Sequence, residues 1–227
     1  MISVVQIIDG TLGLEYFSDP NPAIDVVWGN GFEEDSAKLV LAVGENASGK
    51  SFYRRVVKSW CDINKLECID LSMERRGSGG IERAFIYGDE NSESTGNITI
   101  KSVQGAIKTS CDRKTPHVII WDEPDIGLSE SGSLGAAEEI EEFVDFHPDY
   151  LVGVFVISHS RTLLSRLKHL PHHFLHFGTE EYTLETWLNR DVQPRSLDEI
   201  REANYKRFKD IQAVLNERKA QREKNES

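Results

Sequence analysis

No stretch of this 227-residue chain is apolar over the roughly 18 residues that a membrane-spanning helix needs, so no membrane partner is expected. Cysteine is scarce: Cys61, Cys68 and Cys111 are odd in number and lack close-paired metal spacing. That fits reduced thiols better than a disulfide framework. With no secretory signal pattern at its start, the chain is expected to be cytoplasmic. Basic residues are also outnumbered, 26 Lys and Arg against 38 Asp and Glu, for a net charge of −12. Such a balance does not suit a protein that grips nucleic acid over its whole surface, because phosphate contacts need Lys and Arg.

The acidic excess is local. No Lys or Arg lies between Lys114 and Arg161, while Glu138, Glu139, Glu141, Glu142, Asp145 and Asp149 crowd one predicted helix and its exit. Leu134, Ala137, Ile140 and Val144 form the apolar stripe of that helix, so the acids read as a solvated face, with a docking face for a basic partner as the alternative. A local basic patch (Arg54, Arg55 and Lys58, or Arg75 with Arg76) keeps a nucleic-acid contact open. With 39% hydrophobic residues the chain is long enough to bury a core of one α/β domain.

What is present is a phosphate-loop pattern without a mismatch, Gly44-Glu45-Asn46-Ala47-Ser48-Gly49-Lys50-Ser51. It follows the apolar run Leu39–Val43 and opens a helical pattern, the strand–loop–helix context that this motif requires. The glycines let backbone amides close around phosphates, and a helix N-terminus favours negative charge. Lys50 is expected to reach the outer phosphates and Ser51 to place its hydroxyl on Mg²⁺. ATP and Mg²⁺ are therefore the expected cofactors.

Two further strand ends follow in order. Val118-Ile119-Ile120-Trp121 reads as a buried strand ending in Asp122-Glu123-Pro124-Asp125. Asp122 is placed to hold Mg²⁺, Glu123 to polarise an attacking water, and Pro124 to end the strand. Val154-Phe155-Val156-Ile157 ends in Ser158-His159-Ser160, with a helix predicted from Arg161 through Leu167. His159 could contact the γ-phosphate there.

With these three segments in hand, the chain resembles the ABC-type ATPases, a family that includes transporter nucleotide-binding subunits and the heads of SMC and RecF proteins. Gly44–Ser51, Val118–Ser129 and Val154–Ser160 carry the resemblance. It implies a P-loop NTPase fold: a mostly parallel central sheet flanked by helices, with an N-terminal antiparallel β layer. Ile2 to Ile8, Gly13 to Phe17 and Ala23 to Trp28 are read as the short strands of that layer. The family stacks an aromatic residue from it on adenine, which makes Tyr16 or Phe17 a candidate, with core packing as the plainer reading. Asp125–Ser129 lies at the family's D-loop, with Ser129 in place of the usual aspartate. His159 matches the switch histidine, and Ala47 stands where many members carry glycine.

Family members dimerise head to tail, and a Ser-Gly-Gly-type loop of one subunit touches the γ-phosphate held by the other. No Leu-Ser-Gly-Gly-Gln occurs here. Of two candidates, Gly77-Ser78-Gly79-Gly80 lies far upstream of Asp122. Ser94-Thr95-Gly96-Asn97 opens a segment where Ile100, Val103 and Ile107 recur at helical spacing, so Ser94 and Gly96 are preferred as nucleotide contacts across a dimer. No glutamine lies between Ser51 and Val103, leaving Glu74 as a stand-in for the Q-loop. Only Ser72 to Ser94 separates the two regions, too short for a transporter helical subdomain or an SMC coiled coil. The chain therefore resembles a stand-alone head nearer the RecF side.

His169, His172, His173 and His176 cluster in sequence, but a strand would send His172 and His173 to opposite faces and no cysteine lies nearby. The ATP-binding domain is expected over 1–195. From 196, Ser196 and Glu199 form a capping box, and Ile200, Ala203, Phe208, Ile211 and Leu215 predict an amphipathic helix with a charged, fraying tail.

These readings converge on Mg-dependent ATP hydrolysis driving an ATP-sandwiched homodimer, with Glu123, His159 and Lys50 catalytic. The alternative is a nucleotide-dependent interaction module with little turnover that acts through a partner protein. A phosphotransferase on the same scaffold is disfavoured by Asp122-Glu123 paired with Ser158-His159-Ser160.

Overall fold

Apolar residues alternate between two faces along each central strand, and both faces are covered. The computed structural model describes residues 2–29, 36–72 and 94–225. Its elements run α1 (Val4–Leu12), α2 (Glu15–Ser18), β1 (Val27–Gly29), β2 (Leu39–Gly44), α3 (Lys50–Ile63) and β3 (Glu67–Leu71). After the segment outside the described residues come α4 (Thr95–Asp112), β4 (His117–Asp122), α5 (Glu130–Phe146), β5 (Leu151–Ile157), α6 (Arg161–Leu167), β6 (His172–Phe177), α7 (Leu184–Asn189) and α8 (Leu197–Asn225).

The six strands form one sheet in the order β1-β6-β2-β5-β4-β3, and only the edge strand β1 runs antiparallel, pairing Val27 with His176. Val40, Ala42, Val118 and Ile120 point to one face, where Val4, Ile7 and Ile8 of α1 and Tyr53 and Val57 of α3 cover them. Leu41, Val43, Ile119 and Trp121 point to the other, against Val103 of α4, Ile140 of α5, Leu163 of α6 and Trp187 of α7. The expected mostly parallel sheet flanked by helices is thus present, as a three-layer α/β/α arrangement.

The N-terminal antiparallel β layer is not present among the described residues. Residues 4–12 and 15–18 are helical, and of the segment from Ala23 to Trp28 only Val27 and Trp28 enter a strand. Ser3 and Gln6 form a reciprocal capping box that satisfies the first amides of α1. Val4, Ile7, Ile8 and Thr11 then fall at helical spacing and are all buried. Burying the three aliphatics stabilises the packed helix by about 1.5–3 kcal/mol each, which outweighs the few tenths by which β-branching disfavours helix.

Helix α5 buries Ala137, Ile140 and Val144 as expected, but Phe143 and Ser133 complete the stripe and Leu134 is 41% exposed. Four histidines were read together in sequence, and three of them sit inside β6: His172, His173 and His176 are buried. His172 Nδ1 donates to the Leu170 carbonyl at 2.7 Å, and His176 Nδ1 to the Glu180 carbonyl at 2.9 Å. His169 is exposed and reaches Glu141 at 3.0 Å.

Candidate functional site

Parallel strands end at a common edge, and the crossover connections leave a crevice there. Strand β5 is inserted between β2 and β4, so Gly44, Asp122 and the Ser158-His159 pair emerge side by side, with Asp122 level with Ile157 and Ile157 level with Ala42. A cavity of about 450 Å³ opens at this edge, lined by Asn46–Ser51 together with Asp122, Glu123 and His159. Its size lies within the range of about 300–1,000 Å³ usual for small-molecule sites.

The loop is shaped by its backbone. Gly49, at φ +106, precedes the first turn of α3, and no side chain caps that turn. The uncapped amides of the α3 N-terminus are orphan donors, and with the helix dipole they favour an anion. Ala47 holds φ +68, a left-handed conformation that glycine adopts more readily. Ser48 Oγ is buried with no hydrogen-bond partner among the described residues. Lys50 is 8% exposed and turns its ammonium into the loop, donating to the carbonyls of Gly44 at 2.8 Å and Glu45 at 3.0 Å. Burial lowers its pKa, with Glu123, Asp122 and Glu45 opposing the shift. Glu45 in turn accepts from Arg190 at 2.7 Å, which lowers the Glu45 pKa.

Glu123 sits at φ +57, in the left-handed region that a side chain enters at a cost. Its amide donates to the Ile157 carbonyl at 2.8 Å, which holds this conformation against β5. The turned backbone brings Oε1 to 2.8 Å from His159 Nδ1, while Ser158 Oγ donates to Oε2 at 3.4 Å. The bond to Glu123 raises the His159 pKa. Burial pushes the Asp122 pKa up to about 6 despite the Arg54 guanidinium nearby.

Arg54 was read as part of a surface basic patch, and here the structure differs. The side chain is buried: Nη1 contacts both carboxylate oxygens of Asp70 at 2.9 Å, and Nε lies 3.5 Å from Asp122 Oδ2. Arg54 thus ties α3 to the ends of β3 and β4 and faces away from any external ligand. Arg75, Arg76, Glu74 and Gly77–Gly80 lie outside the described residues.

Ser94 and Gly96 do not line the cavity. Ser94 caps α4 by accepting from the Asn97 amide at 3.3 Å. Gly96 packs so closely on the 125–128 loop that an added Cβ would meet the Gly127 carbonyl at 2.8 Å. Thr99 Oγ1 adds a bond to the Ile126 carbonyl at 2.8 Å. Ser129 caps α5, accepting from the Gly132 amide at 3.3 Å.

No protein-family model and no curated protein matches this chain. Its own geometry is what bears on function.

Among the described residues no group of three or more His, Cys, Asp or Glu is arranged to hold a metal ion. Mg²⁺ seldom asks for one, since it keeps waters and takes one or two protein oxygens plus substrate phosphates. Ser51 and Asp122 both line the cavity and supply hard oxygen donors of that kind. Sequence reading missed one contributor altogether: Asn204, Arg207, Phe208 and Ile211 of α8 form a wall of the same cavity.

Proposed function

We infer that the chain binds Mg·ATP at the Gly44–Ser51 loop and hydrolyses it, in the manner of a stand-alone ABC-type ATPase head. The observation that carries this reading is the convergence of three strand ends, with Glu123 bonded to His159 beside the phosphate loop. The loop amides and the α3 N-terminus take the phosphates. Lys50 exchanges the Gly44 and Glu45 carbonyls for outer phosphate oxygens, so its charge is desolvated and already aimed into the loop. Ser51 and Asp122 would hold Mg²⁺, which neutralises charge developing on the phosphates. Glu123 accepts a proton from the attacking water, and its position is set by Ser158 and His159 on the neighbouring strand. His159, exposed on its outer side, senses the γ-phosphate.

Ser94 and Gly96 do not line their own cavity. In this reading they complete the site of a second copy, and the ATP-bound homodimer dissociates on hydrolysis. The test is the solution mass of Glu123→Gln by light scattering with and without Mg·ATP. A monomer that becomes a dimer only with Mg·ATP is expected. A monomer that binds Mg·ATP and stays monomeric would remove the sandwich and leave an ATPase or interaction module that acts with a different partner chain.

A further inference from the structure

Helix α8 crosses the mouth of the phosphate loop and is tied down along its length. The Arg207 guanidinium donates to the carbonyls of Ala47, at 3.4 Å, and Ala23. Ile211, like Phe17 and Phe52, packs against the buried apolar cluster that includes Ile24 and Tyr53. Two turns further, Arg218 pairs with Glu15 at 2.7 Å and lies over the Tyr16 ring at 5.2 Å. Asn204, Phe208 and Ile211 follow at i, i+4 and i+7, so they share the face turned to the cavity. Opposite them stand Phe52 and Arg55 from the first turns of α3.

The aromatics expected to stack on a base are committed elsewhere. Tyr16 is 5% exposed, its ring packs edge-on against Phe52 with centroids 5.0 Å apart, and neither Tyr16 nor Phe17 lines the cavity. Phe208, by contrast, is 59% exposed on a cavity wall beside the phosphate loop. Core packing does not account for an aromatic left there in the open.

We propose that α8 forms the nucleobase subsite, with Phe208 stacking on the purine ring and Asn204 reading its edge. This rests on the nucleotide reading of the Gly44–Ser51 loop. A side-chain amide offers a donor and an acceptor side by side, which complements the amino group and ring nitrogen of adenine, so Asn204 favours adenine over guanine. Arg207 holds α8 at the height of the loop. Because the wall comes from the same chain, base recognition is complete in the monomer.

Calorimetric titration with Mg·ATP, Mg·GTP and inorganic triphosphate tests this. Phe208→Ala is expected to bind Mg·ATP about 5- to 150-fold more weakly while keeping its triphosphate affinity within about twofold. Phe208→Trp, which retains a stacking surface, keeps ATP affinity and guards against a folding artefact. Asn204→Ala narrows the preference for Mg·ATP over Mg·GTP by about fivefold or more. Unchanged ATP affinity in Phe208→Ala, or an equal loss for ATP and triphosphate, would overturn the base subsite while leaving the phosphate site intact. An unmodified protein that binds neither ligand would instead remove the nucleotide reading, and the base subsite with it.

Discussion

His159 Nδ1 lies 2.8 Å from Glu123 Oε1, a contact between the ends of two adjacent parallel strands that depends on the left-handed backbone at Glu123. The carboxylate is thereby held by a neighbour across the sheet, while its own strand supplies Asp122 one residue earlier. One turned peptide thus gives two consecutive carboxylates different surroundings.

Replacing Arg54 with alanine leaves Asp70 as a buried carboxylate without the guanidinium that meets both its oxygens, since the two side chains are 4% and 3% exposed. Breaking one side of a buried pair costs about 3–5 kcal/mol. For a chain of this size that corresponds to a fall in melting temperature of about 6–20 °C. Differential scanning calorimetry checks it, and a melting point within 2 °C of the unmodified protein, on the order of 1 kcal/mol or less, would contradict the pairing.

Acidification should destabilise the fold through its buried histidines. Burial lowers the pKa of His117, His172 and His176 below the usual 6.5. Each binds its proton less readily in the folded state than in the unfolded chain, so unfolding takes up protons and stability is lost as pH falls below about 6.5. His117 Nδ1 donates to the Thr115 carbonyl at 2.8 Å, and in the neutral ring Nε2, 2.6 Å from Ser110 Oγ, accepts from that hydroxyl. His159 and Asp122 work in the opposite sense, because their pKa values are raised. Urea unfolding at pH 7.5 and 5.5 should show the lower midpoint at pH 5.5; equal midpoints would count against buried neutral histidines.

Ser129 caps α5 here, whatever it does in a dimer. Ser129→Ala should cost about 1 kcal/mol of stability, while Ser129→Asp, an equally good cap, should cost almost nothing. Equal effects of the two substitutions on the urea midpoint would show that capping is not what the position provides.

The places of the Gly44–Ser51 loop, the Asp122-Glu123 pair and His159 at strand ends were legible because each follows a run of four or more apolar residues, and buried parallel strands look like that in sequence. The first helix was misread although Ser3-x-x-Gln6 and the 4, 7, 8, 11 spacing announce it, because Val4, Val5, Ile7 and Ile8 also suit a strand. Arg54 could not be assigned from sequence, since its partners Asp70 and Asp122 come from two other elements. The same holds for α8: nothing local to Asn204 and Phe208 says that Arg207 will reach Ala47, 160 residues away. Phe208 was read as part of the buried stripe, yet Arg207 takes that place beside Ala203 and Ile211, and Phe208 is turned toward the cavity.

The most direct measurement is steady-state phosphate release from Mg·ATP by the unmodified protein and by Glu123→Gln, with ATP affinity measured alongside. The expected result is turnover in the unmodified protein, a loss of about 10²- to 10⁴-fold in the variant, and little change in affinity. Turnover of the variant at the unmodified rate, with ATP bound equally by both, would contradict the assignment of Glu123 as the general base.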